Sequence, residues 1–241
     1  MHDVMGAYRI EAFQAVEHPD FCTLFHNGHT GVLTELGIKN LNSAQPSWMT
    51  DPNVFVLVAM DNDNEVVAGL RIHRFNNPHA SLPIIESIKE QDPRIIEAIH
   101  STLPEGTAEA CGLWSAKKVF GKGLTPLLCI AAIPVMAEVG VNNFFCFAAP
   151  YTEKMIKTNG LVEVSEVGEN GRLPYPTPEF ISVVLKNPNI YEMEFAEEFN
   201  RERVFQLMKE PVCTFFEDSP RGSIEVHYDL RLKKSHEIQF F

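Results

Sequence analysis

Residues 106–150 read GTAEACGLWSAKK, VFGKG, LTPLLCIAAIPVMAEVG and VNNFFCFAAP in succession. The first block has the character of a strand, the last is an apolar run of strand length, and the third is apolar on nearly every side at helical length. Together they predict one βαβ unit hinged on a tight turn. Gly121 and Gly123 lack a Cβ, so the turn can be sharp and its backbone can approach a ligand closely. Pro126 falls in the first helical turn, where its missing N–H costs little. The unpaired N–H groups of that turn, with the helix dipole, favour an anion. Lys117, Lys118 and Lys122 crowd the same hinge, against only Glu109 and Glu138 in the stretch, while the whole chain carries −12. A basic hinge in an acidic protein points to a phosphate-bearing ligand. The plain alternative is solvated lysines around punctuating glycines.

Ahead of this unit, Tyr8–Ala15 predicts an opening strand. His18-Pro19-Asp20 then starts a helix that closes on Gly37. His26 and His29 form an H-x-x-H with Asn27-Gly28 between them. No carboxylate is in register to complete a metal site, so a polar loop beside a substrate mouth is expected and no metal. Asn53–Met60 and Glu65–Phe75 predict a hairpin across the turn Asp61-Asn62-Asp63-Asn64. Ile84, Ile85, Ile88, Ile95, Ile96 and Ile99 have helical spacing, broken at Pro93.

At 241 residues, with 45% apolar and 22% charged residues, the chain has the profile of a soluble globular protein with a substantial core. It holds no uninterrupted apolar run of about 18 residues, and its start lacks a signal-peptide core. Five scattered cysteines, never paired as C-x-x-C, read as reduced core residues. A cytoplasmic location is expected. The acidic balance disfavours nucleic acid and membrane as partners.

Lys118-Val119-Phe120-Gly121-Lys122-Gly123 resembles the acyl-CoA-binding signature of the GNAT superfamily of N-acyltransferases, R/Q-x-x-G-x-G/A. Lys118 stands where that family usually has Arg or Gln, keeping the charge but losing the guanidinium fork. The order of elements from about Tyr8 to Leu185 agrees. The resemblance implies an α/β (α+β) fold with a mixed, mostly antiparallel central sheet flanked by helices. Its boundaries would be a GNAT-like domain over 1–188 with a helical insertion at about 79–104, then an extension over 189–241. The insertion either shapes the donor or acceptor pocket or pads the sheet.

The same resemblance implies that Leu113, Trp114 and Ser115 offer backbone to the pantetheine arm of acetyl-CoA or a longer acyl-CoA. Lys118, Val119, Phe120, Gly121, Lys122, Gly123 and Leu124 would hold its diphosphate. Trp114 is alternatively core, or a lid over the thioester. The family's usual tyrosine acid, four residues before a glycine, falls on Ile156, so Tyr151 would have to substitute. Glu109, on the strand feeding the loop, is the expected base; a solvent-facing carboxylate is the other reading. The residues G-R-x-P-Y-P at 171–176 are similar to the acyl-homoserine-lactone and N-acyl amino acid synthase branch. Cys111 and Gly112, however, replace the Ser and Arg of that branch's E-x-S-R motif. A small amine or amino acid is the implied acceptor. An inactive acyl-CoA-binding or protein-interaction module is the alternative.

Beyond Pro188, Ala196–Met208 predicts a helix. Ile224, Val226, Tyr228, Leu230 and Leu232 then alternate with polar residues, predicting a strand. That strand would extend the main sheet or reach a second copy, making a homodimer.

Overall fold

The computed structural model describes residues 4–38 and 45–233. Strands β2 (Val54–Met60) and β3 (Val66–Phe75) form the predicted hairpin and are buried almost throughout. Their near-continuous apolar runs suit central strands covered on both faces. β1 (Ala7–Gln14) pairs antiparallel with β2, and β4 (Thr107–Ser115) antiparallel with β3. β5 (Asn143–Ala148) follows β4 in parallel, as a βαβ crossover requires. The crossover is α4 (Leu124–Glu138).

Beyond β5 come α5 (Glu153–Lys157), β6 (Val162–Glu163), β7 (Arg172–Pro174) and β8 (Ile181–Asn187). The remaining elements are α6 (Glu198–Lys209), β9 (Val212–Ser219) and β10 (Gly222–Lys233). Among the described residues all ten strands join one sheet, in the order β6-β8-β5-β4-β3-β2-β1-β10-β9, with β7 also on β8. The mixed, mostly antiparallel sheet flanked by helices is the expected class.

α4 lies between the sheet and α6, which explains its apolar character on every side. Leu128, Ala131 and Val135 share one core with Val204 and Leu207 of α6 and with Ile224 and Val226 of β10. On the opposite face, α1 (Pro19–Glu35) covers an aromatic cluster of Phe25, Trp48 and Trp114. The insertion forms two short helices there, α2 (Pro83–Ile88) and α3 (Arg94–His100), broken at Pro93 as the spacing predicts. Their isoleucines pack on Phe75, Phe145 and Val184.

Three expectations change. His26 and His29 lie within α1 and not in a loop, and Gly28 between them packs so closely on Trp114 that a Cβ there would sit 2.1 Å from the indole. The short helix that Tyr151–Gly160 predicts contracts to α5. β9 was not anticipated: its apolar residues do not alternate cleanly, and its place comes from pairing with β10.

β10 extends the main sheet by running parallel to β1, with Ala7 opposite Glu225 and Glu11 opposite Asp229. A buried polar lock fastens the segment. The Tyr228 hydroxyl donates to Glu217 at 2.9 Å, and Arg203 pairs with Glu217 at 3.4 Å while lying 3.6 Å from the Phe215 ring centre. Burial pushes the Glu217 carboxyl up, with Arg203 opposing.

Because α4 is apolar on the face that α6 and β10 cover, removing residues 189–241 should give insoluble protein. The full chain should melt in one cooperative transition. A soluble, cooperatively folded 1–188 fragment in circular dichroism would show instead that the extension is independent of the core.

Candidate active site

β4 keeps its pairing with β3 only by inserting one extra residue. Arg71 faces Cys111, whereas Gly69 faces Trp114. The bulge turns at Gly112, at φ +62°, a conformation that disfavours any side chain. The Arg71 guanidinium fills the space beside it, 3.1 Å from where a Cβ would stand. Cys111 and Trp114 consequently both face the α1 side, while Leu113 turns to the α4 core.

β4 and β5 pair only from Thr107 to Glu109 and from Asn143 to Phe145. Past Glu109 no described strand pairs with the β5-facing edge of β4. A cavity of about 210 Å³ fills the gap. Its α4 wall is Cys129, Ala132 and Met136, and its opposite wall is Pro83, Ile84 and Ser87 of α2 with His29 and Leu33 of α1. Tyr175 and Ser182 close the β8 side, and Tyr151 lies at the mouth.

Glu109 lines this cavity at 2% exposure, so the solvent-facing reading is excluded. Its Oε2 accepts the Ile84 N–H at 2.8 Å. Burial pushes its pKa up to about 8, opposed by that hydrogen bond and by Arg71. Arg71 is buried against the Trp48 ring, 4.4 Å from its centre. Burial, with Arg71 beside it, pushes His29 down to about 3, so its imidazole is neutral. The thiols of Cys111 and Cys129 are pushed up to about 12 by burial.

The loop from Lys117 to Gly123 adopts the predicted tight turn. Gly121 and Gly123 have φ +78° and +74°, and α4 starts directly after them. Val119 and Leu124 are buried anchors, while Phe120 is exposed. The lysines are already engaged. Lys118 pairs with Asp61 at 2.7 Å and with Glu65, Lys117 with Glu35 at 2.9 Å, and Lys122 donates to the Met5 carbonyl at 2.8 Å. For Lys118, expected to hold a diphosphate, the β2–β3 turn supplies two carboxylates within its reach.

Trp114 is core. Its ring packs edge-on to Phe25 at 5.9 Å, with Gly28 of α1 against it, and it is neither lid nor cavity wall. The backbone of Leu113, Trp114 and Ser115 stays beside the unpaired edge. Tyr151 is 69% exposed, just before α5. Tyr175, which stands in the G-R-x-P-Y-P segment, was not singled out from sequence, although it lines the cavity.

No family model and no curated protein sequence matches the chain. Solved structures do. FeeM, an N-acyl amino acid synthase from uncultured soil microbes, superposes with TM-score 0.60 at 10% identity, over 81% of this chain and 99% of that one. BjaI, a CoA-dependent acyl-homoserine lactone synthase, gives 0.54 at 14% identity, over 85% and 91%. MesI, another CoA-dependent acyl-homoserine lactone synthase, gives 0.52 at 11%, over 83% and 95%.

The chain has the GNAT fold.

Within that GNAT fold, the described residues hold no cluster of three or more His, Cys, Asp or Glu able to bind a metal. No described helix is long and apolar enough to cross a membrane.

The buried carboxyl has a consequence for stability. Glu109 keeps its proton in the folded state up to about 8, whereas in the unfolded chain it ionises near 4.5. Between those values the native state binds more protons, so stability falls as pH rises. Glu109→Gln removes this dependence. The melting temperature of the variant relative to the parent should improve between pH 5 and pH 8. A constant difference across that range would show that Glu109 is ionised in the fold.

Proposed function

We propose that this protein transfers an acyl group from an acyl-CoA thioester to the amine of a small molecule or amino acid, by direct attack within a ternary complex. The observation that carries the reading is the cavity opened between β4 and β5 with a buried carboxyl in its wall. The unpaired edge of β4 beyond Glu109 would take the pantetheine amides as a neighbouring strand does. The N–H groups of the Gly121–Gly123 turn and of the first turn of α4 would receive the diphosphate. A GNAT fold supports both assignments.

Glu109 would accept the proton of the attacking amine, directly or through one water. A base poised near 8 suits the task, since its proton affinity lies close to working pH. Activity should therefore rise with pH toward about 8 as the carboxyl ionises. Positioning the amine against the thioester supplies much of the remaining acceleration.

The wall on α4 supports a donor longer than acetyl. Cys129, Ala132 and Met136 are small or flexible and lie on one face. They span about 10 Å of the helix at 1.5 Å per residue.

Acyl-CoAs of medium chain should raise the melting temperature more than acetyl-CoA. Ala132→Phe should abolish that difference while leaving the acetyl-CoA shift intact. Equal shifts for all chain lengths in the parent would remove the acyl-pocket assignment. Gly121→Glu, which adds bulk and a negative charge to the turn, should lose CoA binding with the fold retained. Undiminished affinity in that variant would overturn the CoA site. Glu109→Gln should bind acyl-CoA normally and turn over roughly 10²–10⁴-fold more slowly. Parent-level turnover at every pH would leave Glu109 a structural residue.

A further inference from the structure

Acyl transfer from a thioester leaves a thiolate that needs a proton, and the cavity contains few groups able to give one. Thr152 donates its hydroxyl to the Ala149 carbonyl at 3.0 Å, and Ser182 donates to the Tyr175 carbonyl at 2.8 Å. Ser87 donates to the Pro83 carbonyl at 2.7 Å. A hydroxyl has one proton, so these three are already engaged. The thiols of Cys111 and Cys129 are held up by burial, and Tyr151 is exposed at the mouth with no contact to fix it. Ile156, on the cavity wall, has no proton to give.

Tyr175 differs from all of these. Its hydroxyl oxygen lies 3.1 Å from Ser87 Oγ. In that pair Ser87, whose hydroxyl is shared with the Pro83 carbonyl, donates and the phenol oxygen accepts, so the phenol keeps its own proton for the cavity. Its ring packs at a tilt against Phe147 of β5 with centres 5.1 Å apart, and its N–H is tied to the Phe180 carbonyl at 2.7 Å. The side chain is therefore fixed over the β5 lip of the gap. Glu109 occupies the β4 lip. Both answer to one short helix, since Ile84 of α2 holds the carboxyl and Ser87, one turn on, holds the phenol. Three residues of helix rise by about 4.5 Å, so one turn of α2 holds both groups against the same cavity.

We propose that Tyr175 is the general acid of the transfer, protonating the departing thiolate, with Ser87 as its positioning residue. The proposal rests on the acyl-transfer reading above and adds to it a residue and a role. The amine nitrogen forms a bond to the thioester carbon as the carbonyl electrons move to oxygen. When they return, the C–S bond breaks, its pair goes to sulfur, and the Tyr175 proton follows. The surplus proton on nitrogen goes to Glu109. Solvent exchange returns that proton to the phenolate, so nothing is consumed.

The experiment compares two donors in the full chain with one acceptor amine: an alkyl CoA thioester and an aryl thioester, whose thiolate leaves without protonation. Tyr175→Phe should turn over the CoA thioester roughly 10²-fold more slowly and the aryl thioester at nearly the parent rate, with unchanged CoA binding. Ser87→Ala should show the same selectivity at a smaller size. Equal loss on both donors, or no loss on either, would overturn the role for Tyr175. Glu109→Gln serves as the separate control, since it should slow both donors. If it slows neither, Glu109 is structural; if the parent itself turns over neither donor, the acyl-transfer reading of this cavity fails, whatever Tyr175 does.

Discussion

The separation of β4 from β5 is the constraint on which the rest of the site depends, and it is produced by one residue too many in β4. Two strands that start in parallel register would pair to their ends unless one is bent away. Gly112 supplies the bend, because its φ of +62° disfavours any side chain. Arg71 supplies the reason that the bend is tolerated, since its guanidinium occupies the space a side chain would need. A guanidinium this deeply buried would be costly without partners. Here it lies over Trp48 and Phe25 and beside Cys111, with Glu109 within electrostatic reach. The same cation pulls the Glu109 pKa down while burial pushes it up, and burial wins. The gap and its carboxyl thus have a common origin in β3 and β4.

Much of this was legible in sequence where local pattern carries the information. The β2–β3 hairpin, the βαβ crossover, the glycine turn and the helical pair all follow from periodicity and punctuation. The long-range parts were not. β10 shows its two faces in its alternation, yet nothing local says that it runs parallel to β1. β9 is visible only once β10 exists to pair with it. Gly28 reads as a turn residue until Trp114, 86 positions later, presses against it. The site divides in the same way. Glu109 is found from its place on the strand before the loop. Tyr175 is not, because only tertiary packing carries the β7–β8 connection over β5.

These contacts make the helical insertion a wall of the cavity. As padding it would need only its isoleucines, which do pack on Phe75, Phe145 and Val184. Padding does not account for the polar side of α2. Its Ile84 N–H is spent on Glu109 and its Ser87 on Tyr175, while Pro83 joins the cavity wall. An element that binds a carboxyl from one strand and a phenol from another connection fixes their separation more tightly than either strand does alone. The insertion is therefore part of the site's frame.

The loop presents the opposite economy, in which charge is present but committed elsewhere. Lys117 is spent on an exposed carboxylate, Lys118 on the half-buried Asp61 and the exposed Glu65, and Lys122 on a backbone carbonyl. Exposed pairs of this kind are each worth about 0–1 kcal/mol, so a doubly charged diphosphate can compete for them. The competition is uneven. Lys117 releases one glutamate that is itself half in solvent, and Lys122 gives up only a carbonyl. Lys118 would leave both Asp61 and Glu65 unpaired near the incoming anion. Repulsion from those two carboxylates offsets what the swing gains, which favours Lys118 staying on the β2–β3 turn. In the proposed complex the backbone N–H groups after Gly121 would then be the principal anion ligands, with Lys117 and Lys122 free to follow. The position that looks most like the family's arginine would therefore start, in that proposed complex, from the most strongly held pairing.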